Sequence, residues 1–476
     1  MISPVMYMLD KEIALKVADI VSRKYYEEML AFYKEALVLS RSHAVRRDAK
    51  KLLGLQLDLA KAETNLWKVL REGRAKAKEL HSKASLTPQD QTDLEGTERH
   101  IFIHEQLIRI SRTICDGIAW RCLKYNRTFI NSAARGFAAG DIDITNRDLQ
   151  SEFEWAYRIM ERRGGIVIIN DLTHFLRVGD LTEIYDDSVF IHEIKKYGKE
   201  VKNMFTQKPE EGKELSQQVK RLLELQRIGL LNEAIIDGQP VKTKHINVRL
   251  TSNIGKVKHL IRRSEQDLIA SGDIESFITV EVTNFEAIGR ERHVDLEQLK
   301  SLTTPKSQGF TLVHSNWDSY FSDERGNFLR GMPPYSVFPF DNRDCMKLMS
   351  GQLLLKTITD INGFKSALRR RGWEIEDATE ADVDKELIGF EKAKGSMFTK
   401  KVPLYGKTPD EVGLFTVVRG PFHLPMSTMI YGRLTMEYMT FESLLRILEE
   451  MYRIASIRQA AEAYFPRFVN EALLWN

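Results

Sequence analysis

The chain has 476 residues, 43% of them apolar and 29% charged, with a net charge of +3 at pH 7. That length predicts two or three domains rather than one core, and the balance of apolar and charged residues is that of a soluble globular protein. It excludes a membrane-spanning class, because no run of about 18 apolar residues occurs, and a disulfide framework, because the three cysteines, Cys115, Cys122 and Cys345, have no framework or metal-like spacing. Asp10, Lys11 and Glu12 stand where a signal peptide would need an apolar stretch, so a cytoplasmic protein is expected. A total charge this small says little about polyanions, which are bound by local basic patches.

Residues 5 to about 140 read as helical. No proline occurs between Pro4 and Pro88 or between Pro88 and Pro209, and apolar residues recur at helical spacing, as in Leu52, Leu55 and Leu59. Thr87-Pro88 marks a helix start, and Ile103, Leu107, Ile110, Ile114 and Ile118 give that helix its apolar stripe to about Leu123. Arg112, Arg121, Lys124 and Arg127 lie on or beside it and read as a solvated face more readily than as phosphate contacts. Ala133 to Gly140 reads as a linker.

Thr145-Asn146 predicts the cap of a helix ending at Gly164-Gly165, with Leu149, Phe153, Ala156 and Met160 inward. Ile166 to Ile169 follow as a β-rich run. Gly179 to Lys196 then reads as a β-hairpin with Asp186-Asp187-Ser188 as the turn. A turn centred between Asp186 and Asp187 pairs residues whose numbers sum to 373, setting Asp180 across from Glu193. Cross-strand partners share a face, with Cβ atoms roughly 5 Å apart, and the strand period of two brings Lys195 to that face while His192 points to the other. Two carboxylates and a lysine beside buried Val189 and Ile191 need a reason. One or two carboxylates can hold Mg²⁺ beside a phosphate, where the ion polarises the phosphoryl oxygen and acidifies water, and an ammonium can orient that water or offset developing charge.

This pattern, Asp180 on one strand and Glu193-Ile194-Lys195 on the next after a helix and a strand, resembles the PD-(D/E)xK nuclease superfamily over about a quarter of the chain. The resemblance implies a restriction-endonuclease-like core and a catalytic set of Asp180, Glu193 and Lys195. It implies Mg²⁺ or Mn²⁺ held by Asp180, Glu193 and the carbonyl of Ile194. A glutamate on the preceding helix reaches the metal in many members, which makes Glu152 and Glu154 candidates, and a residue on the following helix does so in some, which adds Gln218 and Lys220. DNA is the expected substrate over RNA because DNA enzymes dominate the superfamily, and restriction, repair or anti-phage defence are the corresponding settings.

Beyond Lys196 a helix is expected from about Glu214 to Ala234, strands at Lys242–Thr251 and Ser276–Thr283, and a basic helix around Lys256–Arg263 between them, making residues 145 to 287 one α/β sheet flanked by helices. Nine of the thirteen prolines lie from Pro305 onward, with Phe310, Trp317, Tyr320, Phe321, Tyr335, Phe338 and Phe340 interleaved. This region reads as packed α+β, with strands at Phe310–His314 and Leu414–Arg419 and helices at Arg343–Ile358, Asn362–Arg371 and Phe441–Tyr464. Arg369-Arg370-Arg371 at a helix C-terminus reads as complementing the helix dipole more readily than as a phosphate-binding cluster. The expected layout is therefore multidomain α+β: a helical N-terminal domain (1–140), a central α/β nuclease core (141–290) and a C-terminal α+β domain (291–476).

No phosphate-binding G-x-x-x-x-G-K-[ST] loop, G-x-G-x-x-G, H-E-x-x-H or G-x-S-x-G motif occurs. The expected function is a metal-dependent nuclease acting on nucleic acid, with no membrane partner and with a homo-oligomer through the N-terminal helices as an open option. The alternatives are a catalytically inactive nucleic-acid-binding or assembly protein, and a helical interaction protein whose hairpin carries surface charge alone.

Overall fold

The computed structural model describes residues 20–83, 85–133, 141–176, 178–185, 188–194, 225–228, 230, 233–236, 239–246, 248–290, 311–315, 333–377, 415–420, 422–426, 428–457 and 465–468. It is a mixture of helices and small antiparallel sheets, and no helix among the described residues is long and apolar enough to cross a membrane. The chain groups into two compact units, one formed by residues 1–243 with 333–350 and the other by 244–332 with 351–476. These limits differ from boundaries at 140 and 290, and they place the N-terminal helices in the same unit as the hairpin.

In the first unit, α1 (Ile20–Arg41), α2 (Ala49–His81) and α3 (Pro88–Cys122) pack on one another. Thr87 and Asp90 close a capping box ahead of Pro88, so the start of α3 is written in its first four residues. Arg112 corrects the reading of that helix. It is buried and donates to Glu63 Oε1 at 2.6 Å, beneath the Trp67 ring. A buried ion pair of this kind binds α2 to α3, and the guanidinium faces neither solvent nor phosphate. Arg121 is also turned inward, donating to the carbonyl of Ser336, and burial lowers its pKa to about 10.

Arg41 secures the returning segment 333–350 by donating to the carbonyls of Phe338 and Phe340 (3.0 and 2.8 Å) and to Asn342 Oδ1 (2.7 Å). Phe338 and Phe340 are buried and stacked there. Ala133, expected to open a linker, is buried at the end of a helix (Arg127–Ala133), and the rest of that segment, 134–140, lies outside the described residues, as do Phe310, Trp317, Tyr320 and Phe321.

Helix α4 (Arg147–Arg163) begins where Asn146 accepts the amide of Asp148 and ends at Gly164 (φ +69°), whose N–H closes on Met160. It packs on β1 (Ile166–Ile169) and β2 (Leu181–Tyr185), and β3 (Ser188–His192) completes a three-stranded antiparallel sheet in the order β1-β2-β3. The hairpin pairs Leu181 with His192 and Tyr185 with Ser188, both sums being 373, as the turn chemistry predicts. β1 is an edge strand, and Gln56 on α2 closes it: the side-chain amide donates to Val167 O and accepts from Ile169 N, each at 2.9 Å. One buried glutamine thus takes the place of a neighbouring strand.

The sheet does not extend across residues 145–287 as expected. Residues 225–228 are helical, but Glu233–Ile236 is a strand paired with Gln239–Ile246 instead of the end of a helix. In the second unit, α5 (Ile254–Asp267) packs on β4 (Ile269–Glu275) and β5 (Ile278–Asn284). With β6 (Thr311–Ser315) and β7 (Leu353–Asp360) these form a separate antiparallel sheet, in the order β4-β5-β7-β6. Residues 343–358, expected as one helix, divide into a helix at Asn342–Met349 and strand β7. Gly351, in the left-handed region at φ +75°, breaks them, and the run Leu353-Leu354-Leu355 fits either period when read alone. Helix α6 (Ile361–Arg370), the sheet of β8 (Glu374–Asp377), β9 (Phe415–Arg419) and β10 (Phe422–Pro425), and α7 (Phe441–Ile457) complete this unit.

Candidate functional site

Asp180 is the residue before β2, and the structure holds it from both sides. Its N–H donates to His192 O at 2.8 Å and its carbonyl accepts from Asn170 N at 3.0 Å. The second bond continues the β1–β2 register, whereas the first falls one residue short of the expected partner Glu193, because the hairpin pairing ends at Leu181–His192. The Asp180 carboxylate accepts the amide of Ile194. The alternation of the strands places Thr182, Ile184, Val189 and Ile191 on one face, with Asp180 and Glu193 immediately beyond the paired residues.

Two residues not anticipated from the sequence shape the approach to Asp180. Asn170, fully buried, donates from Nδ2 to the carbonyls of Val178 and Gly179 (3.0 Å each) and accepts from Thr182 Oγ1 at 2.8 Å. Gly179 turns the chain at φ +71°, where a Cβ would stand 2.4 Å from Ile191 Cγ2 and 2.9 Å from His192 O. The loop between them is fixed to α3, since Asp116 accepts both the amide and Nδ1 of His174 at 2.7 Å. An asparagine directly after an apolar strand is the only sequence trace of this brace.

Glu152 joins the site from α4. The helix buries Leu149, Glu152, Ala156, Ile159 and Met160, so Glu152 occupies a core-facing position and Phe153 is only half-buried. Glu152 is 7% exposed, and its Oε2 is buried without a hydrogen-bond partner. Burial raises its pKa to about 9, assisted by the negative charges of Asp171, Asp180, Asp148 and Glu193. Burial likewise raises Asp180 to about 7, opposed by the Ile194 amide and assisted by Glu193, Asp171 and Asp148. A helix carboxyl and the two hairpin carboxylates therefore share one electrostatic neighbourhood. Glu154 does not belong to it: its side chain is 68% exposed and pairs with Arg158 at 3.9 Å. Lys195, Gln218 and Lys220 lie outside the described residues.

The opposite face of the hairpin is polar for another reason. Glu183, fully buried, accepts from Arg163 Nη1 at 3.1 Å and lies 2.8 Å from His192 Nε2, while Arg163 stacks over Phe190. His192 is accordingly turned away from Glu193 and fastens α4 to the sheet through Glu183.

An excess of buried negative charge with an orphaned carboxyl oxygen is chemistry that a cation relieves. Among the described residues no three histidine, cysteine or acidic side chains stand together as a ready ligand set for a metal. Mg²⁺ requires less, since one or two protein carboxylates suffice when water and substrate phosphate supply the remaining oxygens. Asp180 and Glu193 are the two hairpin carboxylates whose chemistry fits that need, and Glu152 adds to their electrostatic neighbourhood without completing a three-residue set. No family model, curated protein or solved structure matches the chain.

Proposed function

We propose that the protein is a metal-dependent nuclease that hydrolyses phosphodiester bonds of nucleic acid, DNA in preference to RNA, in a cytosolic setting. The observation that carries this reading is the surroundings of Glu152: a buried carboxyl on the helix before the sheet, with an unpartnered oxygen, raised by burial and then by nearby acids that include Asp171, Asp180 and Glu193. It agrees with the resemblance to the PD-(D/E)xK superfamily, in which that helix contributes to the metal site.

In this reading Asp180 and Glu193 hold Mg²⁺ or Mn²⁺, with Glu152 and the Ile194 carbonyl as further oxygen donors. The bound ion supplies charge neutralisation and acidified water. Asp180 is kept in place by the Ile194 amide, so its carboxylate is aimed before substrate arrives. Glu152 must give up its proton to serve as a donor, which couples metal affinity to pH. Lys195, two residues beyond Glu193, orients water or offsets charge on the phosphoryl oxygens.

Calorimetric titration with Mn²⁺ tests the reading. Wild type is expected to bind, and Asp180→Asn and Glu193→Gln to bind at least about 100-fold more weakly, by more than the loss of an outer-sphere partner. Equal binding by all three would remove the metal site.

A further inference from the structure

The inner face of α5 is fully used: Ile254, Val257, Leu260, Ile261 and Ser264 are buried, and the helix packs on β4 and β5. Its outer face is basic. His259, Arg262 and Arg263 are exposed and Lys258 is half-exposed. Lys258 and Arg262 stand one turn apart, where like charges repel, and among the described residues neither has an acidic partner at ion-pair distance. Arg263 pairs only with Asp267, at 3.2 Å on the same exposed surface.

The order of charges along α5 also runs against the helix dipole. Its first turn has no acid and its last turn no base, while Lys256 and Lys258 occupy the positive N-terminal half and Glu265 and Asp267 the negative C-terminal half. Lys256 is committed to the fold through the carbonyl of Ile274, at 2.6 Å. Lys258 and Arg262 have no such internal use, and their arrangement costs helix stability instead of adding to it.

We infer that the outer face of α5, centred on Lys258 and Arg262 with His259 and Arg263 beside them, contacts the phosphate backbone of nucleic acid. Cations one helical turn apart neutralise successive charges on a polyanion, and the counterions released make the contact salt-dependent. A lipid surface fits less well. An interfacial helix needs apolar side chains turned outward to enter the acyl boundary, and those of α5 are buried against the sheet. The inference rests on the nuclease reading for its choice of polyanion, but it assigns no chemistry to α5.

The test is fluorescence anisotropy of a labelled DNA duplex with the full-length protein in EDTA, where no metal-dependent cleavage can occur, across a series of salt concentrations. Lys258→Gln with Arg262→Gln is expected to lower the slope of log K against log salt by about two, one for each phosphate contact. Melting temperature checks folding, which removal of a like-charged pair should leave intact. The control, Lys68→Gln with Lys76→Gln on the exposed surface of α2, removes the same charge from the other unit and should change the slope by much less. An unchanged slope, or an equal drop in the control, overturns the inference. So does a variant that loses only its association with phosphatidylserine vesicles. Failure of the nuclease reading is separately visible: wild type would then cut nothing with Mg²⁺ while the α5 variant still lowered the salt slope.

Discussion

The carboxyl of Glu152 on α4 is raised to about 9 by burial and by negative neighbours that include Asp180. Glu152 is therefore neutral at pH 7, and the pair carries less charge than its composition suggests. Replacing Glu152 by glutamine preserves shape and neutrality. Glu152→Gln should fold normally in EDTA, with a melting temperature equal to or above that of wild type. If Glu152 serves as a metal ligand, cleavage should fall by about 100-fold or more, beyond the 10–100-fold loss typical of an outer-sphere partner. Thermal melts and cleavage rates on one preparation separate the two roles.

The same shifts determine how metal-free stability depends on pH. Glu152 rises from 4.5 to about 9 and Asp180 from 3.8 to about 7 on folding. The folded protein then binds more protons than the unfolded chain between pH 4 and 9. Stability is highest on the acid side of this window and is lost as pH rises, through pH 7 for Asp180 and pH 9 for Glu152. In urea titrations with EDTA, wild type should lose stability relative to Glu152→Gln from pH 5 to pH 9. Mg²⁺ should restore the most at the alkaline end. A difference that grows toward low pH would reverse the sign and contradict the assignment.

Gln56 closes the edge of β1 by pairing with Val167 O and Ile169 N. Gln56→Leu orphans both groups, each worth about 1–3 kcal/mol when buried unpaired, so a loss of about 2–4 kcal/mol is expected in urea unfolding. Hydrogen exchange should localise the effect, with the Ile169 amide losing protection first.

Gly179 precedes Asp180 where a side chain meets Ile191 and His192 at contact distances no packing accommodates, in a positive-φ turn. Gly179→Ala should cost about 1–3 kcal/mol of stability and displace Asp180. Mn²⁺ affinity measured at a temperature where the variant remains folded should fall along with it.

Wherever local chemistry decides the outcome, the sequence was legible. Asn146 and Gly164 end α4 as capping residues do, Thr87 and Asp90 start α3, and the Asp186-Asp187 turn places every described pair of the hairpin. Two kinds of feature were not legible. A polar residue on an amphipathic helix reads as exposed, so the burial of Arg112 and Gln56 depends on partners 49 and 111 residues away, and the core-facing position of Glu152 is likewise set by packing outside its own helix. The division into sheets depends on long-range pairing as well. Ile278–Asn284 joins Leu353–Asp360 in preference to the hairpin, and no periodicity within either strand encodes that choice.

The measurement closest to the central claim is cleavage of plasmid DNA, linear duplex and single-stranded RNA by wild type, Glu152→Gln, Glu193→Gln and Lys195→Ala, each with Mg²⁺, Mn²⁺ or EDTA. The account predicts cleavage by wild type with either metal and none with EDTA. It predicts strong loss in all three variants with folding intact, and a preference for DNA. Cleavage that persists in EDTA, or that Glu193→Gln leaves at the wild-type rate, would contradict it.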